Sequence, residues 1–128
     1  MEKYAFPPPV FTSLEGEFLS LDLENGSLEA RFPVLGRYLN PYGTLQGGMV
    51  AAAIDNTLGP LSVLVARPNV TRRLEMTYSM PVIPEMEQII VKASFLERKE
   101  RFLYFKAFVR SPEGKRLARA KATHWIID

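Results

Sequence analysis

The sequence predicts an α+β protein in which one mostly antiparallel sheet curls around a single buried helix. Three observations lead there. The segment from Leu45 to Ala66 is long, apolar and rich in glycine and alanine, which argues helix over strand. Before and after it, apolar and polar residues alternate, the period of half-buried strands. In the last alternating run Ala118, Ala120 and Ala122 share one face, and three small side chains there let a helix approach closely, with Ala51, Ala52 and Ala53 as its matching surface. At 128 residues the chain suits one core, and we read residues 1–128 as a single domain.

The elements follow in order. Residues 1–13 read as a Pro-rich extended lead-in, because Pro7, Pro8 and Pro9 in a row oppose helix and central strand alike. Leu19, Leu21 and Leu23 alternate with polar residues, as do Leu28, Ala30 and Phe32, and Asn25-Gly26 lies between them. That is a hairpin whose turn is expected to need positive φ at both central residues. The helix then runs from about Leu45, with a break or bend expected at Gly59-Pro60, since proline removes one donor and crowds the carbonyl four residues back. Four strands complete the sheet: Arg73 to Met80, Gln88 to Arg98, Phe102 to Arg110 and Arg116 to Ile127. Ser111-Pro112-Glu113-Gly114 is the turn between the last two.

Composition narrows the chemistry. With no cysteine and one histidine, His124, disulfides, thiolate nucleophiles and Cys- or His-rich metal sites are out, so no metal is expected. Ten bases against three acids fall between Lys92 and Lys121. They alternate with apolar residues instead of clustering, which reads as the solvated face of strands and argues against a nucleic-acid partner. No basic segment leads into an apolar run at the N-terminus, so the expected location is the cytoplasm. Leu45 to Ala66 has the length of a membrane span, but Asp55, Asn56, Gly59 and Pro60 interrupt it and flanking anchors are missing, which favours a buried core helix.

Asp55 is the only charged residue between Asn40 and Ala66. A carboxylate in such company is either held by a structural partner or kept for chemistry. At the start of the same helix Gly47 and Gly48 offer backbone N–H groups without intrahelical partners, at the positive end of the dipole. Such an end suits a carbonyl oxygen becoming an oxyanion, and glycine admits a close approach. Eight residues along a helix is about 12 Å, so Gly47 and Asp55 do not serve one atom within one subunit. If they cooperate, Asp55 comes from a neighbouring chain.

Asn40, Gln46-Gly47-Gly48 and Asp55 keep the spacing of a known signature, and LEMTYSMPV from Leu74 to Val82 adds a strand ending in proline. On these residues the chain resembles the hotdog-fold acyl-CoA thioesterases of the PaaI-like branch, over about Leu14 to Ile127. The resemblance implies the hotdog fold, a homodimer whose sheets join edge to edge with active sites between subunits, and a homotetramer by family analogy. It implies hydrolysis of acyl-CoA or acyl-carrier-protein thioesters, with no cofactor beyond the coenzyme A of the substrate. By the same analogy the Gly47 N–H polarises the thioester carbonyl, Asp55 is general base or nucleophile, Asn40 orients the water or the carboxylate, and Thr71 helps position the nucleophile. Gln46 and Gly48 would help hold the substrate.

Gln46 stands where the family has His. Glutamine pairs by hydrogen bonds but exchanges no proton near neutral pH, so a non-catalytic acyl-CoA binding or sensing module is the alternative. Arg72 and Arg73, beside the helix exit, are candidates for CoA phosphates. His124, on the alanine face of the last strand, reads as a satisfied structural histidine.

Overall fold

The computed structural model describes residues 6–128; the first part of the lead-in, residues 1–5, lies outside them. Six strands, β1 (Glu17–Asp22), β2 (Ser27–Pro33), β3 (Asn69–Tyr78), β4 (Gln88–Lys99), β5 (Phe102–Arg110) and β6 (Arg116–Ile126), form one sheet in the order β1-β2-β4-β5-β6-β3. Every neighbouring pair is antiparallel. The helices are α1 (Pro9–Ser13) and α2 (Gly47–Val65), and α2 lies across one face of the sheet, the α+β arrangement the sequence predicts.

Alternation explains the layering. On β2, β4 and β5 every second residue is buried: Leu28, Ala30 and Phe32; Ile89, Val91 and Ala93; Leu103, Phe105, Ala107 and Val109. The pairing register aligns them across strands, so Ala93 opposes Ala107 and Ala107 opposes Ala120. From α2 come Val50, Ala53, Ile54, Leu58 and Leu61, all buried. Each large one contributes on the order of 1.5–3 kcal/mol through apolar surface withdrawn from water. By length and composition alone α2 would cross a membrane, but this face is turned to the sheet.

Four expectations change. First, the lead-in is not extended throughout: α1 begins at Pro9, which occupies the first helical turn, the one place where proline's missing donor costs a helix nothing. Second, the β1–β2 turn has positive φ at Gly26 alone, at 65°. The Asp22 carboxylate accepts from the Asn25 backbone N–H (3.1 Å) and side-chain amide (2.7 Å), fixing a tight turn that needs only its last residue in the left-handed region.

Third, α2 is continuous through Pro60. The ring is fully buried, and packing outweighs the roughly 3 kcal/mol that an interior proline costs an isolated helix. Fourth, α2 packs most extensively against β4 and β2, and little against β6. Those two strands bury the small residues Ala93 and Ala30, while Ala118, Ala120 and Ala122 are buried on β6.

Candidate active site

Strand β3 starts four residues earlier than the sequence suggests, at Asn69, and this decides the site. The early start pairs Thr71 with His124 of β6, and a bulge between Thr71 and Arg73 follows. Bulges redirect side chains, and here Thr71 faces α2. Its hydroxyl donates to Asp55 Oδ1 at 2.9 Å and lies 3.3 Å from His124 Nε2. His124 Nδ1 is 2.8 Å from Asn69 Oδ1. An acid, a hydroxyl, an imidazole and an amide thus form one hydrogen-bonded row from α2 through β3 to β6.

The row borders a groove of about 450 Å³ lined by Asp55, Thr71, His124 and Asn69, by Gly59, Pro60 and Val63 of α2, and by Phe6 and Pro8 of the lead-in. Asp55 and Thr71 are exposed to it; His124 is only 1% exposed. Burial pushes the His124 pKa below its usual value, and the Asp55 carboxylate acts in the opposite direction.

A second cleft, of about 310 Å³, opens at the start of α2 between Gly47 and the strand end Tyr78–Val82. Gln46 is the N-cap residue, and its carbonyl accepts from the N–H groups of Met49 (2.8 Å) and Val50 (3.2 Å). The N–H groups of Gly47 and Gly48 make no hydrogen bond among the described residues. The Tyr78 hydroxyl donates to the Gly47 carbonyl at 2.6 Å. A Cβ on Gly47 would lie 3.3 Å from the Tyr78 ring, so glycine here gives room to that contact. The Gln46 side chain is exposed and caps nothing.

The sequence candidates therefore divide. Asp55 meets Thr71 in one groove, and Gly47 lies in the other cleft, with Gln46 before it and Gly48 after it in the chain. Asn40 joins neither: its Oδ1 accepts from the N–H groups of Tyr42 (3.0 Å) and Thr44 (3.1 Å), and its Nδ2 donates to Thr44 Oγ1 (2.8 Å). It shapes the loop that delivers Gln46. Arg72 stacks over Phe102 (5.5 Å) and Trp125 (5.1 Å), and exposed Arg73 pairs with Glu75 at 3.5 Å, so neither guanidinium enters the Asp55 groove. Reading from sequence missed His124, Asn69 and Tyr78. Placing the start of β3 at Asn69 would have found the first two, since antiparallel pairing then sets Thr71 against His124.

Solved structures match this architecture over nearly the whole chain. The phenylacetic acid degradation-related protein of Ralstonia eutropha JMP134 superposes with a TM-score of 0.85 at 28% identity, covering 93% of this chain and 90% of that one. The E. coli PaaI protein from the phenylacetic acid degradation operon gives 0.84 at 13% identity, with 93% and 84% covered. The chain has the hotdog fold of the PaaI-like proteins. A hypothetical thioesterase of Streptococcus pneumoniae TIGR4, solved with coenzyme A, shares this hotdog fold at a TM-score of 0.82 and 17% identity over 91% and 90% of the two chains. No family profile and no curated protein sequence matches the chain.

Proposed function

We propose that this hotdog chain hydrolyses acyl thioesters of coenzyme A or of acyl carrier protein, at sites completed by a second copy of itself. The observation that carries this reading is Asp55. On a helix otherwise uncharged it is exposed in a groove, held by the Thr71 hydroxyl at 2.9 Å, and such a carboxylate suits removal of a proton from water.

Its counterpart, the amide end at Gly47, lies about 12 Å away along α2, in the other cleft of the same subunit. β3 is an edge strand of the sheet, and it borders both clefts: its first residues carry Thr71, its last carries Tyr78. Antiparallel pairing of β3 with its copy about a twofold axis reverses one strand against the other. The Thr71 end of one subunit then meets the Tyr78 end of its mate, and Asp55 faces the partner's helix start. There the free N–H groups receive the charge that develops on the thioester oxygen. Water attacks the carbonyl carbon, Asp55 takes its proton, and the thiol leaves.

The comparisons lend support in kind: the pneumococcal protein is named a thioesterase and holds coenzyme A. The second reading, an acyl-CoA binder without turnover, is favoured by one observation. Gln46, exposed and uncommitted, supplies hydrogen bonds to a ligand without proton exchange. Incubation with a panel of aryl-, short-, medium- and long-chain acyl-CoAs, following free thiol, separates the two. Saturable turnover is expected; saturable binding with no thiol from any substrate favours the binder.

A further inference from the structure

His124 is the chain's only histidine, it is buried, and hydrolysis as set out above gives it no task. The orientation of its ring follows from Asn69. The Asn69 side-chain amide Nδ2 donates to the carbonyls of Arg67 (2.8 Å) and Ser62 (3.3 Å). The carbonyl oxygen Oδ1 is therefore the atom that meets His124 Nδ1 at 2.8 Å. An amide oxygen only accepts, so Nδ1 carries a proton, and in the neutral ring Nε2 presents a lone pair.

That lone pair faces Thr71 Oγ1 at 3.3 Å. Thr71 has one hydroxyl proton, and a second acceptor, Asp55 Oδ1, stands at 2.9 Å. Two acceptors compete for one proton, so the row is one proton short of full pairing. A proton added at Nε2 completes it: Nε2–H donates to Thr71, and the Thr71 hydroxyl donates to the Asp55 carboxylate.

We propose that His124 receives, through Thr71, the proton that Asp55 removes from the hydrolytic water. The idea rests on the thioesterase reading above. As the water oxygen bonds to the thioester carbon, its proton goes to Asp55. That proton passes to Thr71 Oγ1 while the Thr71 hydroxyl proton passes to His124 Nε2, so Asp55 returns to the carboxylate and the ring becomes an imidazolium. When the carbon–sulfur bond breaks, the proton travels back along the row to the departing thiolate. Water and thioester become acid and thiol, and no other reactant is needed.

The surroundings suit a proton held briefly. From β5 the ring meets Phe105, 4.8 Å between centroids, with Leu103 opposite in register. From β3 it meets neutral Asn69 and Thr71. From α2 comes Asp55, the one charged group among the described residues that acts on it. Burial weakens the ring as a base and keeps it neutral near pH 7, so the proton is held only briefly, while the carboxylate steadies the imidazolium once formed. His124 acts through Thr71, so it is a positioning residue that stores a proton.

Because the chain has a single imidazole, its nitrogen-15 NMR signals report on His124 alone. The Nδ1–H tautomer is expected at neutral pH, and Asp55→Asn is expected to move the titration to lower pH, since the attraction to the carboxylate is gone. In kinetics on acyl-CoA, Thr71→Val and His124→Asn are each expected to lower kcat about tenfold with KM little changed, part of the roughly 10²–10⁴-fold that general base catalysis supplies. The acid limb of kcat, set by His124 in the wild type, is expected to move to lower pH in both. If His124→Asn does not fold, Thr71→Val cuts the same row at an exposed position. An Nε2–H tautomer, a titration indifferent to Asp55→Asn, or an unmoved acid limb overturns the relay. Thiol release with an uncoupled His124 sinks the relay alone; a coupled His124 with no thiol from any substrate sinks the reaction.

Discussion

At the start of α2, Gly47 and Gly48 offer backbone N–H groups beside Tyr78; two turns further on, Asp55 joins a hydroxyl, an imidazole and an amide. Among the described residues the first region holds fixed dipoles and only a tyrosine, Tyr78, with a pKa raised by burial, to titrate. The second is a row of groups that exchange protons. Dipoles stabilise charge that develops elsewhere, and a base creates a nucleophile but does little for the oxygen it leaves charged. Each cleft thus lacks what the other has, and under the proposed function their separation along one helix makes the chemistry a property of a pair of chains.

Breaking the acidic side should cost most. Asp55→Asn is expected to reduce kcat by about 10²–10⁴-fold while leaving the far-UV circular dichroism and acyl-CoA affinity near wild type, because the side chain is exposed. Turnover within a few-fold of wild type would remove Asp55 from the mechanism. Disturbing the amide side should cost less. In Gly47→Ala the new methyl meets the Tyr78 ring at 3.3 Å and its oxygen at 3.4 Å, so the ring must give by a few tenths of an ångström. A 1 Å misplacement costs up to about 10²-fold, so a smaller loss of turnover is expected here, and weakening the Tyr78–Gly47 hydrogen bond costs about 1 kcal/mol of stability. Steady-state kinetics and urea denaturation on one sample read both.

Gln46→His sharpens the comparison by adding a titratable group to the side that has only Tyr78. Activity is expected to hold or rise; a large loss would show that the cleft is built around glutamine. The smallest effect concerns stability. The His124 pKa is lowered by burial in the folded chain and lies near 6.5 when unfolded. Below about pH 6.5 the unfolded chain binds a proton that the folded chain refuses, so stability falls with pH until the folded value is passed. The loss is about 1.4 kcal/mol per unit of separation. Comparing denaturation midpoints at pH 7.5 and 5.5 in wild type and His124→Asn isolates this slope.

Much of the scaffold was legible in the chain because it is written in local periods. Alternation at Leu28, Ala30 and Phe32, or at Leu103 through Val109, demands strands with one buried face. The run around Ala51–Ala53 demands a helix, and the spacing of Gly47 and Asp55 is fixed by its rise. Pro60 deceived because local preference, a helix broken at proline, gave way to burial of its ring. His124 is the buried, hydrogen-bonded histidine that the sequence suggests, but its partners lay beyond local reading. Asn69, Thr71 and Asp55 stand more than fifty positions before it, and the alanine face of β6 says nothing of them.

What the sequence by itself determined is the list of elements, their inward faces and the isolation of one acid on an apolar helix, all of which follow from geometry within a few residues. Only the tertiary structure decided that β3 begins at Asn69, that its bulge turns Thr71 toward Asp55, and that His124 stands behind them both. Those contacts join residues 16, 53 and 55 positions apart. Their register is set by the bulge and the sheet's long-range pairing, which no local pattern encodes.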